Sequence, residues 1–201
     1  ERVIYNAGLQ AVILVPTREL CEQVTQEMKK FSKHKKMRIV AVYGGVSINP
    51  QITQLRNADI VIGTPGRFLD HITRGTMQLH KVHILVLDEA DRMCDMGFID
   101  DVKRIISRLP QARQTLLFSA TISPDVHDIV KHYMRNPEKV VVQSYVGEEK
   151  LLQYYYDVDA RDKFSLLVHL LRNNKGGLAI IFCATRRRVD IVSKNLYKNG
   201  I

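Results

Sequence analysis

The apolar run Ile84 to Leu87 ends directly in the acidic sequence Asp88-Glu89-Ala90-Asp91. Such a run is typical of a buried strand in a parallel sheet, and ligands of these sheets bind where the strands end. Carboxylate oxygens there suit a Mg²⁺ ion that carries a nucleotide phosphate, and a second carboxylate can orient or deprotonate an attacking water. Taken alone, the segment is also compatible with an acidic, solvated turn.

Three other segments carry residue types that suit phosphate. After Pro16, Thr17 and Arg18 open a predicted helix, so that free helix N–H groups, a hydroxyl and a guanidinium converge. The sequence Thr64-Pro65-Gly66-Arg67 repeats this arrangement, and Gly44-Gly45 lets a backbone approach a ligand without a Cβ in the way. Singly, an arginine or a Gly-Gly pair is better explained by a surface ion pair or a turn. Together the loops predict a groove for a sugar–phosphate backbone.

The elements that must position these residues follow from hydropathy. Short runs rich in Val and Ile alternate with longer amphipathic stretches, which predicts parallel strands joined by crossover helices in a doubly wound α/β domain. The predicted strands are residues 11–15, 39–43, 59–62, 84–87, 115–118 and 140–142. Helices are predicted at residues 18–31 and 100–109, where apolar residues recur at helical spacing.

The 201 residues amount to about 1.3 domains of ordinary size. We predict a first domain at residues 1–143, a polar linker at 144–150, and the start of a second domain at 151–201. The second part is predicted to hold strands at 153–158 and 178–182, and helices at 162–172 and about 187–198. Its tyrosines at 154–156 suit base stacking, but their strand context favours a packed, half-buried edge.

Six segments, in order along the chain, closely resemble motifs Ia, GG, Ib, II, III and IV of the DEAD-box RNA helicases of superfamily 2. They are Pro16-Thr17-Arg18-Glu19-Leu20, Gly44-Gly45, Thr64-Pro65-Gly66-Arg67, Asp88-Glu89-Ala90-Asp91, Ser119-Ala120-Thr121 and Ile180-Ile181-Phe182-Cys183-Ala184-Thr185. The resemblance implies a RecA-like parallel sheet with helices on both faces, followed by the start of a second RecA-like domain. It also implies an ATP-dependent RNA helicase in which two domains close around ATP·Mg²⁺ and one RNA strand, so that a short duplex separates.

The resemblance also implies a role for each matching residue. Asp88 would hold Mg²⁺, through water, and Glu89 would position and activate the hydrolytic water; both would contact the nucleotide. Asp91, Ser119 and Thr121 would couple hydrolysis to strand opening. The residues implied to bind RNA are Thr17, Arg18, Gly45, Thr64, Gly66 and Arg67 in the first domain and Thr185 in the second.

No glycine in the sequence is followed by Lys, so the phosphate-binding loop G-x-x-x-x-G-K-[ST] is absent. In the family this loop precedes the segment that Pro16 begins, and motifs V and VI would follow residue 201. We therefore expect that the native polypeptide is longer, or that the sequence is a fragment or a truncated gene model, and that the 201-residue chain alone is inactive. The alternative is an ATP-independent RNA-binding or scaffolding module. A DNA-directed superfamily 2 enzyme is disfavoured, because the motif set resembles the RNA-directed one.

Composition adds weaker constraints. With 45% hydrophobic and 25% charged residues the chain is globular, and its net charge of +9 favours a polyanionic partner. Three widely spaced cysteines argue against a disulfide framework or a zinc site, and no apolar run is long enough to span a membrane. We expect a monomer in the cytoplasm, or in the nucleus of a eukaryote, that acts on single-stranded or short duplex RNA; the sequence identifies no protein partner.

Overall fold

The structure is a computed structural model that describes residues 3–142, 152–174 and 176–201. The chain divides into two compact units, Glu1–Val140 and Val141–Ile201. The predicted linker at 144–150 lies outside the described residues, so the predicted domain boundaries stay predictions.

Unit 1 is built on a five-stranded parallel sheet of order β2-β3-β1-β4-β5. The strands are β1 (Ala11–Leu14), β2 (Ile39–Val42), β3 (Ile60–Gly63), β4 (Ile84–Leu87) and β5 (Gln114–Leu117). Five of the six strands predicted for this unit are thus confirmed, each within one or two residues. The Val- and Ile-rich sequences of β1 to β4 suit a sheet that is covered on both faces.

Helices cover both faces of this sheet. They are α1 (Arg18–Phe31), α2 (Asn49–Leu55), α3 (Pro65–Thr73), α4 (Ala90–Asp95), α5 (Ile99–Ile106) and α6 (Pro124–Tyr133). Alternate strand residues point to opposite faces, so Ala11 and Ile13 pack with Cys21 of α1, whereas Val12 and Leu14 belong to the core with α3, α5 and α6. This is the predicted α/β arrangement.

The predicted strand at 140–142 is wrong, since this segment has no strand structure and its three valines are exposed. A strand is stable only when a neighbour accepts and donates its backbone hydrogen bonds. Strand β5 pairs with β4 alone, and no described strand lies beside residues 140–142.

Unit 2 contains the helices α7 (Lys163–Asn173) and α8 (Arg186–Lys198), close to their predicted positions. Its predicted strands at 153–158 and 178–182 are wrong, because the described residues of this unit form no strand. Leu178 and Phe182 are 94% and 92% exposed, and the three tyrosines at 154–156 are exposed rather than packed along an edge. Without a paired neighbour, apolar alternation alone does not produce a strand.

No helix in residues 3–142, 152–174 or 176–201 combines the length and apolar character needed to cross a bilayer.

Replacing Gly63 by Ala is expected to destabilise unit 1 by about 1–3 kcal/mol, the usual cost of overpacking a core. A Cβ on Gly63 would overlap Cγ2 of Val42 and lie 2.9 Å from the Val42 carbonyl oxygen, at the end of strand β3. Urea unfolding measures the change. Gly44→Ala is the matched control, since a Cβ there meets nothing within 4 Å and should change stability by less than about 0.5 kcal/mol. Equal midpoints for the two variants would contradict this account of Gly63.

Candidate functional site

The strand register brings the site residues of unit 1 to one edge of the sheet. Leu14 of β1 lies opposite both Gly63 of β3 and Leu87 of β4, and Leu87 lies opposite Leu117 of β5. The segments that follow these strands therefore all begin at the same edge of the sheet, where the strands have their carboxyl ends. The segment after β2 joins them, because Val42 lies opposite Gly63.

The turn after β4 holds the Asp88 and Glu89 carboxylates at this edge. The Asp88 N–H still donates to the Leu14 carbonyl (3.0 Å), and the Glu89 N–H donates to Asp88 Oδ1 (3.0 Å). Glu89 has the left-handed backbone conformation, with φ 50° and ψ 52°, immediately before α4. A non-glycine residue seldom adopts this conformation, and such residues are concentrated at functional sites.

Two influences leave the Asp88 carboxylate poorly stabilised. Burial raises its pKa most, and the charge of Glu89 raises it further, against the opposing effect of the Glu89 N–H bond. A cation beside Asp88 would reverse this rise. The Glu89 carboxylate pairs with Arg92 at 3.2 Å, and the side chains of Arg92 and Glu89 are 58% and 41% exposed.

Asp91 connects α4 to the segment after β5. Its Oδ2 accepts hydrogen bonds from the N–H (2.8 Å) and the hydroxyl (2.9 Å) of Thr121. Ser119 Oγ accepts from the Asp91 N–H (3.2 Å) and donates to the Thr121 carbonyl (2.7 Å). Burial, the largest single influence, raises the pKa of Asp91, but the hydrogen bonds from Thr121 and from the Arg92 N–H outweigh it and hold the pKa below its ordinary value.

These residues line an open cleft of about 700 Å³. Its lining consists of Asp88, Glu89, Asp91, Arg92, Asp95, Phe118, Ser119 and Ala120. The structure thus brings together the five residues that the sequence predicted for hydrolysis and coupling. Four of them line the cleft, and the fifth, Thr121, is hydrogen-bonded to Asp91. Arg92 and Asp95 were missed, although their spacing after Glu89 and Asp91 along one short helix could have identified them.

The donor set of the cleft fits a Mg²⁺ ion that enters with a nucleotide. Mg²⁺ binds proteins through one or two carboxylates and completes its octahedron with waters and substrate phosphates. Asp88 and Glu89 supply such carboxylates. In the part of the chain that the structure describes, no three His, Cys, Asp or Glu side chains converge as a site that could hold a metal.

Arg18 begins helix α1 at the same edge of the sheet. The Thr17 hydroxyl caps α1 by accepting from the Leu20 N–H (3.2 Å), which fixes where Arg18 begins the helix. The guanidinium lies 5.2 Å from the centre of the Tyr43 ring and makes no hydrogen bond or ion pair in the described residues. Its N–H donors are therefore available to an anion.

Gly45 lies directly against this guanidinium. A Cβ at Gly45 would lie 2.5 Å from Arg18 Nη1, and its φ of +77° is one that side-chain-bearing residues rarely adopt. Only glycine therefore permits this approach between the loop after β2 and Arg18.

Arg67 is held more firmly than Arg18. Its Nη2 donates to the Val46 carbonyl (3.0 Å), its Nε lies 3.9 Å from an Asp70 oxygen, and its buried Nη1 has no partner in the described residues. The Thr64 side chain makes no capping bond to α3, and a Cβ at Gly66 would meet only an Asp101 oxygen at 4.0 Å.

Among the six predicted RNA-binding residues of unit 1, Gly45 belongs to the loop Gly44–Val46, and Arg18 and Arg67 contact that loop. The other three lie where α1 and α3 begin, at the same edge of the sheet: Thr17, Thr64 and Gly66. Thr185 belongs to unit 2, where its hydroxyl accepts from the Arg188 N–H (3.2 Å) and caps α8. Sequence reasoning missed Tyr43, which holds Arg18 and whose hydroxyl donates to Glu22 (2.5 Å).

Comparison with known proteins agrees with this geometry. The DEAD/DEAH box helicase profile matches residues 3–129. The DEAD-box ATP-dependent RNA helicase CshA of Geobacillus kaustophilus (strain HTA426) is 43% identical over 199 residues, which are 98% of this chain and 43% of that protein. The ATP-dependent RNA helicase CshA of Listeria monocytogenes is 46% identical over 195 residues, 96% of this chain and 38% of that protein.

A solved structure gives the same result. The crystal structure of a DEAD box protein from the hyperthermophile Methanococcus jannaschii superposes with a TM-score of 0.67 at 40% identity, over 99% of this chain and 54% of that one. The predicted RecA-like α/β fold is thereby confirmed. The chain spans about two fifths of the length of the curated relatives it matches. It belongs to the DEAD/DEAH box helicase family.

Proposed function

We propose that the full-length protein is a DEAD-box ATP-dependent RNA helicase, which couples RNA-stimulated ATP hydrolysis to RNA binding and local duplex unwinding. One observation carries the proposal: the carboxylate cleft and the loops with phosphate-binding residues open on the same edge of one sheet. The names of the relatives, which are ATP-dependent RNA helicases, support it.

In hydrolysis, Glu89 is the general base. Its carboxylate accepts a proton from a water whose oxygen bonds to the terminal phosphorus of ATP, while the bond to the diphosphate oxygen breaks. The left-handed turn at Glu89 fixes where that carboxylate leaves the backbone. Asp88 would hold Mg²⁺, through water, and the ion when bound neutralises phosphate charge.

RNA binding falls to the loops around Gly44–Val46. Arg18 and Arg67 would contact phosphates, and the free N–H groups at the start of α1 and α3 add donors beside Thr17 and Thr64. Gly45 and Gly66 leave room for the strand. In unit 2, Thr185 would contribute a further contact. Such contacts bind the backbone with little base readout.

Coupling between the two activities runs through Asp91, Ser119 and Thr121. These residues join the helix that follows the catalytic carboxylates to the segment after β5 by three hydrogen bonds. A change at the nucleotide would move this segment with α4, because the bonds leave the two elements little freedom to separate.

Replacing Thr121 by Val tests the coupling. The variant keeps the backbone bond to Asp91 and loses the hydroxyl bond, and a bond to a carboxylate is worth about 1.5–3 kcal/mol. We expect duplex separation to slow by about tenfold, with ATP hydrolysis within about threefold of the original. Both rates are measured on one short RNA duplex.

The control for Thr121→Val is Ser123→Ala. This change removes the cap of α6, where Ser123 Oγ accepts from the Val126 N–H. It lowers the free energy of unfolding by about 1 kcal/mol, and it also removes one side-chain hydrogen bond close to Thr121. It touches no bond to Asp91, so duplex separation should be unchanged. If Ser123→Ala slowed separation as much as Thr121→Val, the coupling role would be wrong.

The alternative, an ATP-independent RNA-binding or scaffolding module, is not favoured. The carboxylate cleft has a use in an ATPase and none in a passive binder, and the relatives are named ATP-dependent. Duplex separation decides between the two. The helicase separates strands only when ATP is present, whereas the passive module separates no strands with or without ATP. We further propose that the protein is a monomer of the cytoplasm, or of a eukaryotic nucleus, acting on single-stranded or short duplex RNA.

A further inference from the structure

A series of hydrogen-bonded polar side chains begins at the Tyr43 carbonyl, directly before the Gly44–Val46 loop, and runs into the interior of unit 1. Gln51 of α2 is 6% exposed and His71 of α3 is fully buried. Gln51 Nε2 donates to the Tyr43 carbonyl at 3.1 Å, and Gln51 Oε1 lies 3.1 Å from His71 Nε2. His71 Nδ1 lies 2.8 Å from the Thr76 hydroxyl. None of these three side chains, Gln51, His71 and Thr76, lines the cleft or is among the residues proposed to contact RNA.

The Tyr43 carbonyl fixes the orientation of the Gln51 amide and, through it, the proton on His71 Nε2. A carbonyl only accepts, so the Gln51 amide nitrogen must face Tyr43 and its oxygen must face His71. The oxygen requires a proton on His71 Nε2. Burial, and then the positive charge of Arg67, lowers the pKa of His71, so the ring is neutral and Nδ1 accepts from the Thr76 hydroxyl.

Helix α3 therefore holds the loop at both of its ends. Arg67 donates directly to the Val46 carbonyl, and one turn later His71 acts through Gln51 on the Tyr43 carbonyl. Between these two carbonyls lies Gly45, which touches Arg18, and the Tyr43 ring itself packs on the Arg18 guanidinium.

We propose that Gln51 and His71 are positioning residues for RNA binding, which fix the backbone of the Gly44–Val46 loop and, through it, the Arg18 guanidinium. The inference rests on the RNA-binding role proposed for this loop. Neither side chain would touch RNA. Two buried side chains whose polar atoms each have a hydrogen-bond partner hold a backbone more rigidly than packing alone, and a site loses function when its support is loosened.

The test is made in the full-length protein with Gln51→Met and His71→Met, which keep volume and remove the bonds. We expect the RNA concentration that half-saturates ATP hydrolysis to rise about tenfold, while the rate at saturating RNA stays within about twofold. The conservative change His71→Gln keeps a donor that reaches Gln51 Oε1, and should restore half-saturation to within about threefold of the original. A merely structural role would produce neither this split nor this rescue.

The matched control is Thr25→Val on α1. Thr25 is also buried, and its hydroxyl donates to the Cys21 carbonyl at 2.7 Å, away from the loop. This variant should lose thermal stability as Gln51→Met does and keep the original half-saturation. Thr76→Val is a milder variant that removes the hydroxyl, which lies 2.8 Å from His71 Nδ1 and 3.1 Å from the His71 carbonyl oxygen. If the Met variants do not fold, the rise of about threefold expected for Thr76→Val tests the positioning role.

Unchanged half-saturation in the folded variants, or an equal rise in Thr25→Val, would overturn the inference. The Arg18→Ala variant separates this failure from failure of the proposed function. If Arg18→Ala raises half-saturation and Gln51→Met does not, only the positioning role is wrong. If Arg18→Ala has no effect either, the RNA role of the whole loop is wrong.

Discussion

Replacing Glu89 by Gln is expected to lower RNA-stimulated ATP hydrolysis by at least about 100-fold, the usual contribution of a general base. Glutamine has the shape of glutamate and cannot accept the proton of the attacking water. The backbone turn at Glu89 is unaffected by the change, and Asp88 keeps its place beside it. Binding of ATP and of RNA should therefore persist, measured by fluorescence titration beside a steady-state ATPase assay.

The side effect of this substitution is the loss of the Glu89–Arg92 ion pair. Both side chains are partly exposed, so the pair contributes at most about 1 kcal/mol to stability. Arg92→Ala removes the same pair and leaves the base in place. This control should hydrolyse ATP within about threefold of the original rate. If Glu89→Gln kept more than a tenth of the activity, another residue would have to be the base.

Replacing Arg18 by Ala is expected to weaken RNA binding by about 10- to 100-fold, because charge-assisted hydrogen bonds to phosphate are worth about 1.5–3 kcal/mol. Arg18 is the stronger choice of the two arginines for this test. In the described residues the Arg18 guanidinium makes no hydrogen bond or ion pair and packs on the Tyr43 ring and Gly45. Arg67 already donates to the Val46 carbonyl, so the loss of Arg67 would also disturb the loop.

Salt dependence distinguishes a phosphate contact from a general effect of charge. The logarithm of RNA affinity against the logarithm of salt concentration should lose roughly one unit of slope in Arg18→Ala. Lys33→Ala is the control, since Lys33 is exposed beyond the far end of α1, about 20 Å from Arg18 at 1.5 Å per residue. Its removal should change affinity by less than about twofold. Equal losses in the two variants would mean that only net charge matters.

The sequence predicted most of unit 1 because its signals are local. Val- and Ile-rich runs mark strands β1 to β4, Thr17 marks the start of α1, and the acidic and glycine-rich segments after the strands mark the site. Parallel register then places these segments together, as Leu14, Gly63 and Leu87 show by lying side by side. The failures at 140–142, 153–158 and 178–182 have one cause: a strand depends on a neighbour, which local pattern does not report.

The residues that support the Gly44–Val46 loop could not be predicted from local sequence patterns for a related reason. Gln51 and His71 stand 20 residues apart on two helices, and nothing in either helix shows that they meet. Tyr43 reads as the end of a strand, and its contact with Arg18 exists only in the fold. The signal available in the sequence was a Gln and a His on otherwise apolar helix faces. Such a position indicates a hydrogen-bond partner, because buried polar side chains require one.

The most direct test of the proposed function is ATP hydrolysis by the full-length protein without nucleic acid, with single-stranded RNA, and with DNA of the same sequence. We predict stimulation of at least about tenfold by RNA and much less by DNA, because backbone contacts tell the two apart through the 2′-hydroxyl. Hydrolysis that RNA leaves unchanged, or that DNA stimulates equally, would contradict the assignment of an RNA-dependent ATPase.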